Sequence, residues 1–357
     1  ALTKAALAGH NNVVKTLLEK GADVNLQDFR NGTALMAAVS AGHTDVVDTL
    51  LAHGADVNVK QVSYDIFIDY EISNMQTALL IAIGKNNPQI ALSLINNGAE
   101  VNTTHYNEES SLILAAMRGY TNVVLSLLQN GAFANVEDKN GFTAVMKATG
   151  NVTQILLDNG ADANQKGKYG DTPLTHAVIR GDFVAAKVLL ENGANIDAPG
   201  KNELTALMLA AYYGDQNMVN LLISNNANVN IHTAKYGITA LLNLGFGNLG
   251  KHVDIAATLL DNGANPDVTT KYGKSPLQSA VWAENMDLIS LLLENGADIN
   301  IQEAGHITPL MAAARKGNHT IVTYLLSHGA DVGIETRNNA TALLEAAHSR
   351  ADTADVV

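Results

Sequence analysis

Residues 245–252 read GFGNLGKH and satisfy two phosphate-binding patterns at once. Gly245, Gly247 and Gly250 spell G-x-G-x-x-G, while Gly245, Gly250 and Lys251 spell G-x-x-x-x-G-K with His252 where Ser or Thr is required. Glycines let backbone N–H groups close around a phosphate, and a helix start behind them adds positive potential. Taken alone, the stretch points to a nucleotide-using enzyme. That chemistry also needs a β-strand feeding the loop, so the flanking elements decide the matter. No other catalytic pattern competes: H-E-x-x-H, G-x-S-x-G and EF-hand spacings are missing from the sequence. The 11 histidines are dispersed, with His10, His43, His53 and His328 at turn positions, so neither a metal nor a cofactor is expected.

Composition narrows the classes further. The 357 residues are 47% hydrophobic and carry a net charge of −13, which disfavours a general nucleic-acid or anionic-membrane binder unless the bases gather on one face. There is no cysteine, which removes disulfides and thiolate chemistry and suits the cytoplasm. No apolar run approaches membrane-spanning length, so no membrane insertion is expected.

The flanks of GFGNLGKH belong to a pattern that organises the whole chain. A marker of the form Gly-Ala-(Asp/Asn)-x-(Asn/Asp) begins at residues 21, 54, 98, 131, 160, 193, 226, 263, 296 and 329, and six of the nine intervals equal 33. Ahead of each marker stands Thr or Ser, then a small residue or Pro, then Leu, as in TALMAAVSAGH at 33, TPLTHAVIRGD at 172, TALMLAAYYGD at 205 and TPLMAAARKGN at 308. The Thr is placed to cap a short helix with inward Leu and Ala. A turn and a second helix such as TDVVDTLLAHG at 44 follow, closed by a left-handed Gly. The residues left over suffice only for a hairpin loop. Carboxylates such as Asp23, Asp56, Asp162 and Asp298 recur with the period and are expected to serve turns.

This pattern resembles the ankyrin repeat over the full chain, in eleven copies beginning near residues 1, 33, 77, 110, 143, 172, 205, 239, 275, 308 and 341. The resemblance implies an all-α solenoid of stacked helix-turn-helix repeats with β-hairpin or loop fingers, forming a single domain. It also implies binding in a concave groove lined by hairpin tips and first helices, and it makes marker asparagines such as Asn25 and Asn58 similar to those modified by an asparaginyl hydroxylase. Two departures stand out. The His of the family's T-P-L-H segment is replaced by Met36, Leu80, Ile113, Met146, Thr175, Met208, Leu242, Gln278, Met311 and Leu344, which predicts that a hydrogen bond gives way to apolar packing. The first and last copies are incomplete, from which further protein beyond both ends is expected.

Three intervals break the period. An insertion near 60–73 carries VSYDIFIDYEI, whose alternation predicts a strand with Tyr64, Ile66, Ile68, Tyr70 and Ile72 on one face and Phe67 on the other. It either packs on neighbouring hairpins or anchors a partner through Tyr64, Phe67 and Tyr70. The copy at 143–160 lacks four residues, predicting a shortened first helix that acts as a packing defect or a hinge. The third break is GFGNLGKH itself. It leaves a predicted helix and not a strand, so a lengthened turn at 245–252 is the better reading.

The bases fall on a line that the resemblance assigns to the groove. Lys139, Lys168, Lys201, Lys235, Lys271 and Arg337 precede the repeat Thr or Ser by four residues, with Arg30 one place later, and Lys85, Arg118, Arg180, Arg315 and Lys316 end first helices. Tyr169, Tyr236 and Tyr272 sit within repeated Lys-Tyr-Gly tripeptides, and Tyr212, Tyr213 and the sole tryptophan, Trp282, end first helices. Trp, Tyr and Arg are the residues most enriched at binding hot spots. The expected function is therefore a non-catalytic scaffold holding an extended, acidic segment of another protein, with no small-molecule substrate. The alternatives are a mechanical tether in a larger assembly such as a channel and, below that, a nucleotide-binding enzyme using 245–252; a nucleic-acid reader ranks last.

Overall fold

The computed structural model describes residues 1–63, 74–105, 107–244 and 252–351, with side chains through residue 347. Two compact units divide the chain: Ala1–Ala177 with Val184–Ala194, and Val178–Phe183 with residues from Asn195 onward. Each is a stack of antiparallel helix pairs, first helix on first helix and second on second. In the first unit the leading first helices are Leu2–Leu7, Ala34–Ala41, Ala78–Gly84, Ser111–Met117 and Ala144–Lys147. Their second helices are Asn11–Glu19, Thr44–Ala52, Pro88–Asn96, Thr121–Gln129 and Asn151–Asp158. In the second unit the first helices Ala206–Tyr213, Ala240–Asn243, Pro276–Trp282, Pro309–Lys316 and Ala342–Ala351 alternate with Gln216–Ser224, Val253–Asp261, Met286–Glu294 and His319–Ser327.

The repeat Thr starts each pair as its chemistry requires. Thr33 Oγ1 accepts the Met36 N–H at 3.3 Å, and Thr77, Ser110, Thr205, Thr239, Ser275 and Thr308 cap their helices in the same way. First helices are sandwiched between neighbours and are apolar nearly all round; in Ala34–Ala41, residues Leu35, Met36, Ala38 and Val39 are all buried. Second helices bury one stripe, as Val46, Val47 and Leu50 do in Thr44–Ala52. At their ends an Asn or His turns back onto the carbonyl four residues earlier, as in Asn97 Nδ2 to Ser93 O at 2.8 Å. The marker Gly then takes a left-handed φ, 83° at Gly21, and Asn226 adopts 65° where the marker lacks glycine.

The last marker residue joins one repeat to the next. Asn58 Nδ2 donates to Gly98 O at 3.1 Å while its Oδ1 accepts the Glu100 N–H at 2.7 Å. Asn25, Asn102, Asn135 and Asn230 repeat both bonds. The carboxylates two residues earlier close local turns, Asp56 Oδ1 accepting the Asn58 N–H at 2.9 Å. Each fingertip is also closed by a backbone bond, such as Asp138 N–H to Phe142 O at 2.9 Å. The hairpin before Thr239 is one residue longer than the one before Thr205, and its corresponding bond runs from Thr233 to Ile238, so the tip absorbs the extra residue.

Two expectations need revision. The former His position is not uniformly apolar. Thr175 Oγ1 accepts the Thr172 N–H at 2.9 Å, Met311 Sδ accepts the Thr308 N–H at 3.4 Å, and Gln278 Nε2 donates to Ile307 O at 3.0 Å. In these copies a polar or sulfur atom keeps a hydrogen bond that apolar packing was expected to replace. Capping also fails at Thr143: the helix Ala144–Lys147 has only four residues, and the fully buried Thr143 hydroxyl makes no cap bond and has no partner among the described residues. Ala148 turns to extended backbone before another turn can form.

Isosteric removal of the hydroxyl separates these sites. Thr33→Val should cost about 1 kcal/mol, the usual worth of an N-cap. Thr143→Val should cost under about 0.5 kcal/mol or stabilise, because its hydroxyl is buried without a bond. Urea unfolding followed by far-ultraviolet circular dichroism measures both.

Candidate functional site

First-helix ends and fingertip loops meet around one cavity of the first unit. Gln76, Leu80, Ile81, Gly84, Lys85, His105, Glu109, Leu114, Met117 and Arg118 line this solvent-open cavity of about 380 Å³. Arg118 is exposed at its rim, and Gln76 Nε2 lies 3.3 Å from His105 Nε2 on the fingertip side. Gln76 ends the strand Asn74–Gln76, which pairs antiparallel with Gln61–Ser63 at the root of the long finger. Tyr64, Phe67 and Tyr70, expected to anchor a partner there, lie outside the described residues.

Beside this cavity lies an ionic cluster that the line of exposed bases did not predict. Lys147 Nζ is 2.7 Å from both Glu109 Oε1 and Asp138 Oδ2, and the Asp138 side chain is only 1% exposed. Asp138 Oδ1 meanwhile accepts the N–H groups of Asn140 and Phe142 at 2.8 and 2.9 Å. Burial pushes the Asp138 carboxyl up, but Lys147 and these backbone donors outweigh it and hold the group below 3.8. Burial likewise pulls Lys147 down, and Asp138 and Glu109 together raise it above 10.5. The Phe142 ring completes the cluster, 5.8 Å from the ammonium and edge-on to His176 at 4.6 Å. The sequence carries little signal for it: the register of Lys147 holds Ala37, Ile81, Leu114, Leu209 and Ala312 in some copies but His176, Asn243, Ser279 and Glu345 in others.

The remaining expected residues of this unit are exposed on fingertips. Lys139 donates its backbone N–H to Asn107 O at 3.0 Å. Lys168 and Tyr169 project from the next tip, whose backbone lies so close to Gly141 that a Cβ there would clash with Lys168.

In the second unit Lys201 lies in the one-turn segment Lys201–Glu203, and Glu203 Oε2 accepts the Lys235 N–H at 3.2 Å. Lys235 Nζ sits 4.9 Å from the Tyr236 ring centroid, and Tyr236 O accepts the Lys271 N–H at 3.0 Å. Successive tips are thus zipped together, with Tyr272 70% exposed at the second of them. Gly237 takes a φ of 72° and packs against Thr269 and Lys271, a close approach that explains the glycine of Lys-Tyr-Gly. At the first-helix ends Arg180, Tyr212, Tyr213 and Arg315 are exposed, the two tyrosines edge-to-face at 5.3 Å. Trp282 is 38% exposed, and Lys316 binds beside it: the ammonium lies 6.0 Å from the ring, donates to Trp282 O at 2.6 Å and pairs with Glu284 at 2.6 Å. Lys316 and Asn318 hold the Glu284 carboxyl below its ordinary range. Lys316 was expected to meet a partner, and its charge is instead matched within the chain.

Residues 245–251, the nucleotide-binding alternative, lie outside the described residues. The described flanks are the helices Ala240–Asn243 and Val253–Asp261, so no described strand feeds the stretch. His252 packs its ring against Gly214 of the preceding turn, as His43 does against Gly9. Among the described residues no group of three or more His, Asp or Glu is arranged to hold a metal ion, and no helix is long and apolar enough to cross a membrane.

Stacked helix pairs joined through their marker turns define an all-α repeat solenoid. A family model described as ankyrin repeats in three copies matches residues 1–61, 79–167, 142–233, 207–303 and 300–357, and the chain belongs to the ankyrin repeat family. Such repeats generally mediate protein–protein interaction and are typically non-catalytic. Among solved structures, the ankyrin repeat domain of Bcl-3, described as a unique member of the IkappaB protein family, is similar in fold. Its TM-score is 0.54 at 24% identity, over 60% of this chain and 97% of that one. Among curated proteins none matches the sequence.

Lys147→Met tests the ionic cluster. It should destabilise the first unit by about 2–3 kcal/mol, somewhat below the ~3–5 kcal/mol of a fully buried pair because water still reaches Lys147. The pH dependence has a definite sign. The Asp138 contribution is full above 3.8 and lost as pH falls through its lower folded value; that of Lys147 is full below 10.5 and lost as pH rises through its higher one. The stability difference between wild type and variant, from urea titrations across pH, should be flat within that window and shrink outside it.

Proposed function

We propose that this chain is a non-catalytic scaffold that holds an extended, acidic segment of a partner protein against the fingertip and first-helix face. The observation that carries this reading is the repeated Lys-Tyr-Gly tip of the second unit. Lys235 stands over Tyr236, and Lys271 is fixed one repeat later by its bond to Tyr236 O. A cation and an aromatic ring are thereby offered together at repeat spacing, the combination that an extended segment bearing carboxylates would engage. Local potential and not net charge governs such an encounter, so an overall −13 does not oppose it. Lys168 and Tyr169 offer the same pair in the first unit. Absence of cysteine fits a reducing compartment such as the cytoplasm.

Trp282, the only tryptophan, reports on this face of the second unit. Titration with an unstructured peptide rich in Asp and Glu should change its emission, with affinity falling as salt rises. Replacing Lys168, Lys235 and Lys271 by Gln should weaken binding by roughly 0.5 kcal/mol per lost contact and flatten the salt dependence. Affinity and salt dependence both unchanged in the triple variant would refute the reading.

A further inference from the structure

The cavity between the first helices Ala78–Gly84 and Ser111–Met117 has a property that the basic tips do not explain. Gly84 closes its helix at a register where other copies carry Leu7, Ser40, Met117, Ile179, Tyr212, Trp282 or Arg315. Its φ is not positive, so the backbone does not require glycine there, and a Cβ on it would meet nothing within 4 Å. Glycine in a helix costs roughly 0.5–1 kcal/mol relative to alanine, and here the return is open volume. Leu80 and Leu114 are buried beneath that volume, Ile81 is half-buried, and Met117 stands at its side.

Charge at the rim is unequal. Lys85 and Arg118 are exposed and have no ion-pair partner among the described residues, whereas Glu109 across the cavity is already paired with Lys147 at 2.7 Å. An occupant therefore meets an apolar floor, two available cations and a carboxylate whose charge is spent.

The geometry points to an anchor pocket: this cavity takes a single apolar side chain of leucine or phenylalanine size from the acidic partner segment, whose flanking carboxylates meet Lys85 and Arg118. This rests on the acidic-segment reading above and names one point at which such a segment would be gripped. A volume of about 380 Å³ admits such a side chain with room for its backbone to cross the rim.

Two fluorescently labelled peptides, identical in their Asp and Glu residues but with Leu or Gly at the centre, test the pocket by anisotropy. The Leu peptide should bind wild type about tenfold or more tightly, the effect of burying one leucine side chain. Gly84→Leu fills the cavity from within and should abolish that preference while leaving the Gly peptide unaffected, with a melting temperature unchanged or raised; Gly84→Ala should be intermediate. Methyl resonances of Ile81, Leu114 and Met117 should shift with the Leu peptide alone. If both peptides bind equally, or the preference survives Gly84→Leu, the pocket proposal fails and the acidic-segment reading stands. If neither peptide binds, both fail. If replacing Ile66 and Ile68 by Ser shifts those methyl signals in the peptide-free protein, the chain's own segment is the occupant and the proposal is overturned.

Discussion

Where the last marker residue is Asn, its side-chain amide does the work of a joint; Asp197 and Asp267, in the same position, only accept the N–H of the next repeat. The Asn25, Asn58, Asn102, Asn135 and Asn230 amides each donate to the carbonyl of the following marker turn and accept an N–H from it, satisfying two backbone groups that no helix or strand would reach. A helix pair of this size cannot bury both its faces alone, so the fold exists only where successive pairs are held in register. The amide bridges set that register at the marker turns, and stacked first and second helices bury the apolar residues behind them. Successive tips are then held at repeat spacing within a unit, as Tyr236 O and the Lys271 N–H are, which brings cations and aromatic rings into line there.

The cations of the tips and first-helix ends are of two kinds. Lys147 and Lys316 spend their charge inside the chain, the first on Asp138 and Glu109, the second on Glu284. They position what surrounds them: Phe142 in one case, Trp282 in the other. Lys168, Lys271, Arg118 and Arg315 are exposed and have no ion pair among the described residues. Unpaired bases are not confined to these positions, since Lys15 and Lys20 on the second-helix side are also exposed without an ion pair among the described residues.

Much of the fold could be read from spacing because each local signal has a short range. Thr33 reaches three residues ahead, Asp56 two, and Gly21 answers to its own φ. Signals acting over longer distances were hidden. Glu109 and Asp138 are charges like many others until the stack brings Lys147 between them, and Lys147 itself sits in a register where other copies already carry His176, Asn243, Ser279 and Glu345. Gln278 and Thr175 read as apolar replacements because the atoms they bond, Ile307 O and Thr172 N–H, are identified only once the backbone is folded. The open volume beside Gly84 is invisible in the sequence for a related reason: what matters there is a side chain that is not present, and composition has no mark for a vacated position.

The amide bridge has a consequence for how such a chain can change over time. Asn25 finds its carbonyl 29 residues away, Asn58 finds the equivalent one 40 residues away, and Asn135 needs only 25. The same bond closes over a lengthened copy and a shortened one, because everything inserted or removed lies on the loop between the two ends of the connection. Growth of a finger or loss of a helical turn therefore leaves the neighbouring copies undisturbed. Natural selection can lengthen, trim or re-equip one copy as an independent experiment while its neighbours keep their existing work.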